Sequence, residues 1–251
     1  MDADLLPPES TKDAPRRSMQ RLVLPGVELY CGDCRDILPI KADAIISDPP
    51  YGMRIDAGRL DDAKAQKQGM RRNKYKECEW DAEDYDANAL LSWWPKTKPI
   101  ALFGADYYRN TLPDGGSWMV WDKKMPGMEE LPGSDFELCW VRPTTKRRML
   151  RKVWTGYLSK ELDEERLHPT QKPVAVMGMV MNAMRIPVGA TVLDPYMGSG
   201  STIIAAIRTG RKAIGIERDP EHFKNACERI KRELAQGDLF NGQNAKTQAP
   251  T

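Results

Sequence analysis

The sequence predicts an α/β protein whose chemistry sits at strand ends, and three observations carry that prediction. At 251 residues the chain fits one domain with a sizeable core. The apolar run Ala42-Asp43-Ala44-Ile45-Ile46 reads as a buried strand and ends abruptly in Ser47-Asp48-Pro49-Pro50-Tyr51. Near the other end, a strand, a Gly-x-Gly turn, a helix, a second strand and an acid follow one another, which is half of a nucleotide-binding unit.

Val27 to Cys31 alternates like a short strand and runs into Gly32-Asp33, which places Asp33 at the mouth of the sheet. Cys31 and Cys34 have the spacing of half a zinc site, but no second Cys or His pair sits nearby and no metal is expected. Asp36 to Ile40 reads as a short helix. The strand Asp43 to Ser47 then delivers the Asp-Pro-Pro-Tyr turn. Pro49 and Pro50 fix φ and remove two N–H donors, so Asp48 and the Pro49 carbonyl point outward as acceptors, with the flat face of Tyr51 beside them. That set suits a planar ring bearing an exocyclic amino group. A plain proline turn after a strand is the alternative.

Residues 52–79 have little apolar periodicity. Eight basic residues, Arg71 and Arg72 among them, lie between Arg54 and Lys76 against three acids. A long basic loop directly after the turn reads as a lid that touches phosphates, or else as a solvated loop. Tyr85 to Trp94 predicts a helix, Pro99 to Gly104 a buried strand, and Gly116 to Trp121 with Phe136 to Val141 an antiparallel pair. Arg142 to Lys152 then holds six basic residues in eleven and no acid, with Trp154 and Tyr157 close behind. Cations beside aromatics predict a nucleic-acid surface at Lys146, Arg147, Arg148 and Arg151.

His168-Pro-Thr-Gln-Lys-Pro173 opens a helix with Pro173 at its first position. Val176, Met177, Val180, Met181 and Met184 recur on one face and predict core rather than a cofactor contact. Gly189 to Leu193 is a strand ending in Asp194-Pro-Tyr-Met-Gly198-Ser-Gly200. A helix to about Thr209 follows, then a strand from Lys212 to Ile216 ending in Glu217, and an amphipathic helix from Pro220 to about Ala235. Gly198 and Gly200 let a ligand approach the backbone, and Glu217 can hold two ribose hydroxyls. Ile203 stands where the dinucleotide fingerprint wants a third glycine, and Asp194 would repel a pyrophosphate. An acid there suits a ligand with a cationic amino group and a sulfonium, such as S-adenosyl-L-methionine.

Taken together, Gly32-Asp33, Asp48-Pro-Pro-Tyr51, His168-Pro-Thr-Gln-Lys-Pro173 and Asp194-Pro-Tyr-Met-Gly-Ser-Gly200 resemble the motifs of the DNA amino-methyltransferases acting on adenine N6 or cytosine N4. Their order, catalytic motif first and cofactor motif last, is similar to the circularly permuted β class. Phe103-Gly104-Ala105 and Val120-Trp121-Asp122-Lys123 resemble small phage and prophage members. The resemblance implies a Rossmann-like, doubly wound, mostly parallel sheet of seven strands, the last two antiparallel. It implies that Asp48, Pro49, Pro50 and Tyr51 hold and stack a flipped base. It further implies that Asp194, Gly198 and Gly200 line the methionine end of S-adenosyl-L-methionine, Glu217 its ribose and Asp33 its adenine, with Thr170 and Lys172 closing over the carboxylate. The resemblance also implies adenine-N6 methylation of double-stranded DNA, because in that family Asp at the first position of the turn is commoner among adenine enzymes and Ser among cytosine-N4 enzymes. Cytosine N4 and an RNA or protein substrate remain the other readings.

The methyltransferase domain is expected over 19–236, with a target-recognition region at about 105–166, too small for a long stringent site, and disordered tails at 1–18 and 237–251. Net charge is only +2, so a nucleic-acid surface must be local. No apolar run of membrane-spanning length and no secretory signal occurs, and five cysteines fit reduced thiols. The expected setting is cytoplasmic. A homodimer and a cognate restriction endonuclease are partners that the sequence leaves open.

Overall fold

The computed structural model describes residues 20–51, 85–124, 126–127, 134–154 and 171–246, with side chains described as far as 236. Among these residues nine strands form one sheet: β1 (Gln20–Leu24), β2 (Val27–Cys31), β3 (Ala44–Ser47), β4 (Ile100–Phe103), β5 (Ser117–Asp122), β6 (Phe136–Arg142), β7 (Arg148–Arg151), β8 (Thr191–Asp194) and β9 (Lys212–Glu217). Their order across the sheet is β1-β2-β9-β8-β3-β4-β6-β5-β7.

The inner run β2-β9-β8-β3-β4 is parallel throughout. β6 runs against both β4 and β5, so the predicted antiparallel pair is present. The seven expected strands form β2 to β5 of this order, and two more flank them. β1 folds back on β2, and β7 adds to β5 in parallel. Neither is legible in the sequence, because each is a charged edge strand with one apolar side. The stretch Arg148–Arg151, read as a basic surface, is a ladder strand whose Leu150 is buried.

Alternation along each strand sends successive side chains to opposite faces, and each face has its own core. Ala44, Ile46, Ala101 and Phe103 join one cluster with residues of α3 (Val174–Ala183), α4 (Ser201–Arg208) and α5 (Pro220–Lys246). Ile45, Ile100, Leu102 and Leu193 face the other way, toward Leu90, Trp94 and Tyr108 around α2 (Asn88–Leu91). The predicted doubly wound α/β architecture is therefore observed. The Met177, Val180 and Met181 stripe is core, as expected.

Three helices differ from expectation. The first, α1 (Cys34–Ile37), starts earlier than predicted, because the Asp33 carboxylate caps it by accepting the Arg35 N–H at 2.9 Å. The helix expected over Tyr85–Trp94 shrinks to one turn. Asp86 accepts the Asn88 N–H at 2.9 Å, a local bond that competes with helix, and Pro95 follows closely. Conversely, α5 continues to Lys246 through part of the stretch assigned to a tail, because adding residues to an existing helix costs far less than starting one. The lid 52–79 with Arg71 and Arg72, Thr170, Tyr157 and the tail 1–18 lie outside the described residues. Of the span 105–166, the strands β5, β6 and β7 belong to the main sheet.

Candidate active site

At the carboxyl ends of the parallel strands lies a cavity of about 660 Å³. Asp48 and Pro50 line it after β3, Asp194 and Gly198 after β8, Glu217 after β9 and Asp33 after β2. Sheet topology thus brings the turn and the glycine loop, 146 residues apart from Asp48 to Asp194, into one space. Tyr85, Tyr196, Gln171 and His222 also line it and were not singled out from sequence. Tyr85, Tyr196 and Gln171 stand in loops and His222 in the first turn of the helix that begins at Pro220, and a single aromatic or polar residue there carries no pattern of its own.

Asp194 is 2 % exposed. One oxygen accepts Ser47 Oγ at 2.5 Å and the Tyr196 N–H at 3.1 Å. Burial pushes its carboxyl up to about 6, against the pull of those donors. Glu217 accepts the Gly198 N–H at 3.0 Å through one oxygen and the Asp219 N–H at 2.8 Å through the other. Burial raises this carboxyl as well. Asp194 is thus dry and Glu217 half-buried; both are held by backbone amides and short of full compensation, a state that a cation or a pair of hydroxyl donors would relieve. Asp33 differs: the Arg35 guanidinium holds it below the ordinary carboxylate range, with an N–O distance of 2.6 Å.

Gly198 lines the cavity, but Gly200 does not. Gly200 takes the left-handed conformation at φ 82° as the N-cap of α4, and a Cβ there would meet Ile230 of α5 at 3.0 Å. Its role is the turn and the helix contact, not the ligand approach expected from the motif.

Around the turn, Tyr51 donates its hydroxyl to Asp48 Oδ1. Lys172 Nζ donates to Asp48 Oδ2 at 2.7 Å and to Tyr51 Oη at 3.0 Å. The Tyr51 ring stacks on Tyr107, centroids 5.2 Å apart, and lies so close to Gly104 that a Cβ there would overlap it. Lys172 was expected at a methionine carboxylate. Its ammonium is instead committed to the turn and also lies 3.1 Å from Glu137 Oε2. Burial lifts the Asp48 carboxyl, and Lys172 pulls it part of the way back.

The predicted basic surface is dispersed. Lys146 and Arg147 are exposed in the loop before β7. Arg148 is half-buried on the side of Leu150, whereas Met149 and Arg151 are exposed on the other. Arg148 is level with Met119, and Arg151 with Asp122, which its Nε approaches at 3.5 Å. Arg142 is buried against Trp94 and Trp140, and Trp154 is buried in the core, so neither serves an open surface.

An open sheet of this order, with a glycine turn and acids at its carboxyl edge, defines a Rossmann-like α/β protein built to hold a nucleoside-containing ligand. Comparison with known proteins narrows the class. The DNA methylase family profile matches residues 121–228. The chain is 28% identical over 141 residues to the Type II methyltransferase M2.DpnII of Streptococcus pneumoniae, covering 56% of this chain and 50% of that protein. It is 29% identical over 145 residues to the Type II methyltransferase M2.LlaDCHI of Lactococcus lactis subsp. cremoris, covering 57% and 51%. The chain spans about half the length of these curated relatives. In fold it is similar to the crystal structure of the M1.HpyAVI–SAM complex, with a TM-score of 0.52 and 22% identity over 81% of this chain and 98% of that one. The resemblance to the N6/N4 DNA amino-methyltransferases is borne out.

Proposed function

We propose that the chain is a DNA methyltransferase that moves a methyl group from S-adenosyl-L-methionine to the exocyclic N6 of an adenine flipped out of duplex DNA. The observation that carries this reading is that one cavity holds Asp48, the buried acid Asp194 and the half-buried acid Glu217. The residues fit the cofactor: Asp194 suits its cationic amino group and Glu217 its ribose hydroxyls. When bound, S-adenosyl-L-methionine supplies a methyl group activated by a sulfonium.

The rest follows from side chains. An amino nitrogen conjugated to its ring is a poor nucleophile. Asp48 accepts an N–H from it, favours its lone pair out of conjugation, and stabilises the positive charge that develops on nitrogen. Tyr51, braced by Tyr107 and the Gly104 backbone, offers a fixed ring against which a base can stack. A base inside a duplex cannot reach this recessed turn, so flipping costs a few kcal/mol, supplied by contacts elsewhere. Among the basic residues, Arg151 is the described cation best placed to meet a phosphate, being exposed toward the carboxyl edge.

Adenine is favoured because Asp, not Ser, precedes Pro49. The test is to incubate the protein with unmethylated duplex DNA and cofactor, digest to nucleosides, and identify the product by mass. N6-methyladenine is expected. N4-methylcytosine would move the base assignment to cytosine, and methyl groups only on RNA or protein would overturn the substrate class.

A further inference from the structure

We infer that Glu137 is a positioning residue for methyl transfer: it shares the Lys172 ammonium with Asp48, so that the charge of Lys172 is divided and Asp48 keeps its strength as an acceptor for the target amino group. The inference rests on the reading of Asp48 as the acceptor for that group.

Nothing in the sequence motifs points to Glu137. It reaches the site because β6 runs against β4, which brings the start of β6 to the carboxyl edge where the Asp-Pro-Pro-Tyr turn lies. Lys172 has a side chain only 6% exposed and three N–H donors, and three oxygens surround it: Asp48 Oδ2 at 2.7 Å, Tyr51 Oη at 3.0 Å and Glu137 Oε2 at 3.1 Å. The Glu137 oxygen lies off the hydrogen-bond direction, so this contact is an ion pair rather than a directed bond. Its other oxygen accepts Lys123 Nζ at 2.7 Å, and Lys123 in turn sits over the Trp121 ring at 5.2 Å. Two carboxylates and two ammoniums thus form a neutral chain from Asp48 to Lys123.

Neutrality matters because these groups are largely withdrawn from water, with 6% of the Lys172 side chain, 15% of Asp48 and 24% of Glu137 exposed. Lys172 alone would cancel the negative field of Asp48 where positive charge must develop on the nitrogen. With Glu137 present, the field of Lys172 is divided between two acids. Burial raises the Glu137 carboxyl, but Lys172 and Lys123 outweigh it and hold Glu137 below its ordinary range. The groups facing Asp48 are Tyr51 of its own turn, Lys172 before α3, Glu137 and Cys139 of β6, Tyr108 after β4 and Asp194 after β8.

A plain structural ion pair and a positioning role predict different signs in a double-mutant cycle. Single-turnover methylation of duplex DNA would be measured for Glu137→Gln, Lys172→Met and the double variant. Glu137→Gln alone should slow transfer on the order of tenfold, as loss of an outer partner of a functional group does. Lys172→Met should be slower still, because Asp48 loses its ammonium partner while Glu137, still paired with Lys123, remains as a second acid that raises the Asp48 carboxyl. Adding Glu137→Gln to Lys172→Met should then make the enzyme faster, since Asp48 no longer competes with a second acid. Carbon-13 titration of the Asp48 carboxyl should show its midpoint rising in Lys172→Met and falling back in the double variant. Lys172→Gln replaces Lys172→Met if the latter does not fold. A double variant no faster than the Lys172 single, or an Asp48 midpoint that does not fall back, overturns the inference. If the parent protein methylates no DNA, the proposed function fails, while the carboxyl titration still decides the network.

Discussion

Ser47 Oγ donates to Asp194 Oδ1 at 2.5 Å, both residues being buried. The strand that presents the Asp48 turn is therefore bonded to the acid that begins the glycine loop. Ser47→Ala should remove a charge-assisted bond and destabilise the protein by roughly 1.5–3 kcal/mol. It should also lift the Asp194 carboxyl further. Denaturant unfolding with cofactor titration measures both; unchanged stability would show that the bond contributes nothing net.

The Asp194 carboxyl gives a pH dependence with a definite sign. Its folded value of about 6 lies above the ordinary aspartate value of about 3.9, so the folded state binds this proton more tightly than the unfolded one. Its contribution to stability is thus greatest below about pH 4 and declines as pH rises toward 6, by roughly 3 kcal/mol in all. A cationic ligand favours the ionised form, so cofactor affinity should rise over the same window. Melting curves with and without S-adenosyl-L-methionine at pH 5 and 7, compared with Asp194→Asn, isolate the effect. Affinity that is flat in the parent protein would contradict it.

Asp48→Ala should keep cofactor affinity and lose about a hundredfold or more in turnover, as with removal of one preorganised stabilising group. Lys172 retains Glu137 as a counter-charge in that variant, so the fold should survive. Normal methylation by Asp48→Ala would remove the turn from the chemistry.

Gly104 has φ 61°, and a Cβ would overlap the Tyr51 ring. Gly104→Ala should cost at least about 1–2 kcal/mol from the left-handed backbone alone. It should also displace Tyr51, lowering turnover with little effect on cofactor binding. A variant with parental stability and activity would mean that the ring tolerates movement.

Arg151→Ala should weaken DNA binding and flatten its salt dependence by nearly one unit of slope, the signature of one lost phosphate contact. Arg148→Ala, on the half-buried side of the same strand, should leave the slope unchanged. Equal effects at both positions would restore the continuous basic surface expected from the sequence.

Most of the sheet was legible because its inner strands are short apolar runs ended by acids or turns, and Asp48, Asp194 and Glu217 each end one. That periodicity marks burial, not neighbours. It shows that Asp48 and Asp194 terminate strands; only the placement of β8 beside β3 makes them share a cavity. Lys172 lines the cavity, yet its contact with the turn was not legible for a related reason. A lysine in a motif says nothing about which acid it meets, and Glu137 lay in a strand that had been read only as a strand. The basic run 142–152 was read as composition, whereas strand alternation and burial assign Arg142, Arg148 and Arg151 to different surroundings.

The two flanking strands bear on self-association. A sheet edge is a row of unpaired backbone groups ready to accept another chain, and here β1 closes one side and β7 the other. Each is short and carries arginine, Arg21 in β1 and both Arg148 and Arg151 in β7. Short margins that carry charged side chains disfavour extension of the sheet from one molecule into the next.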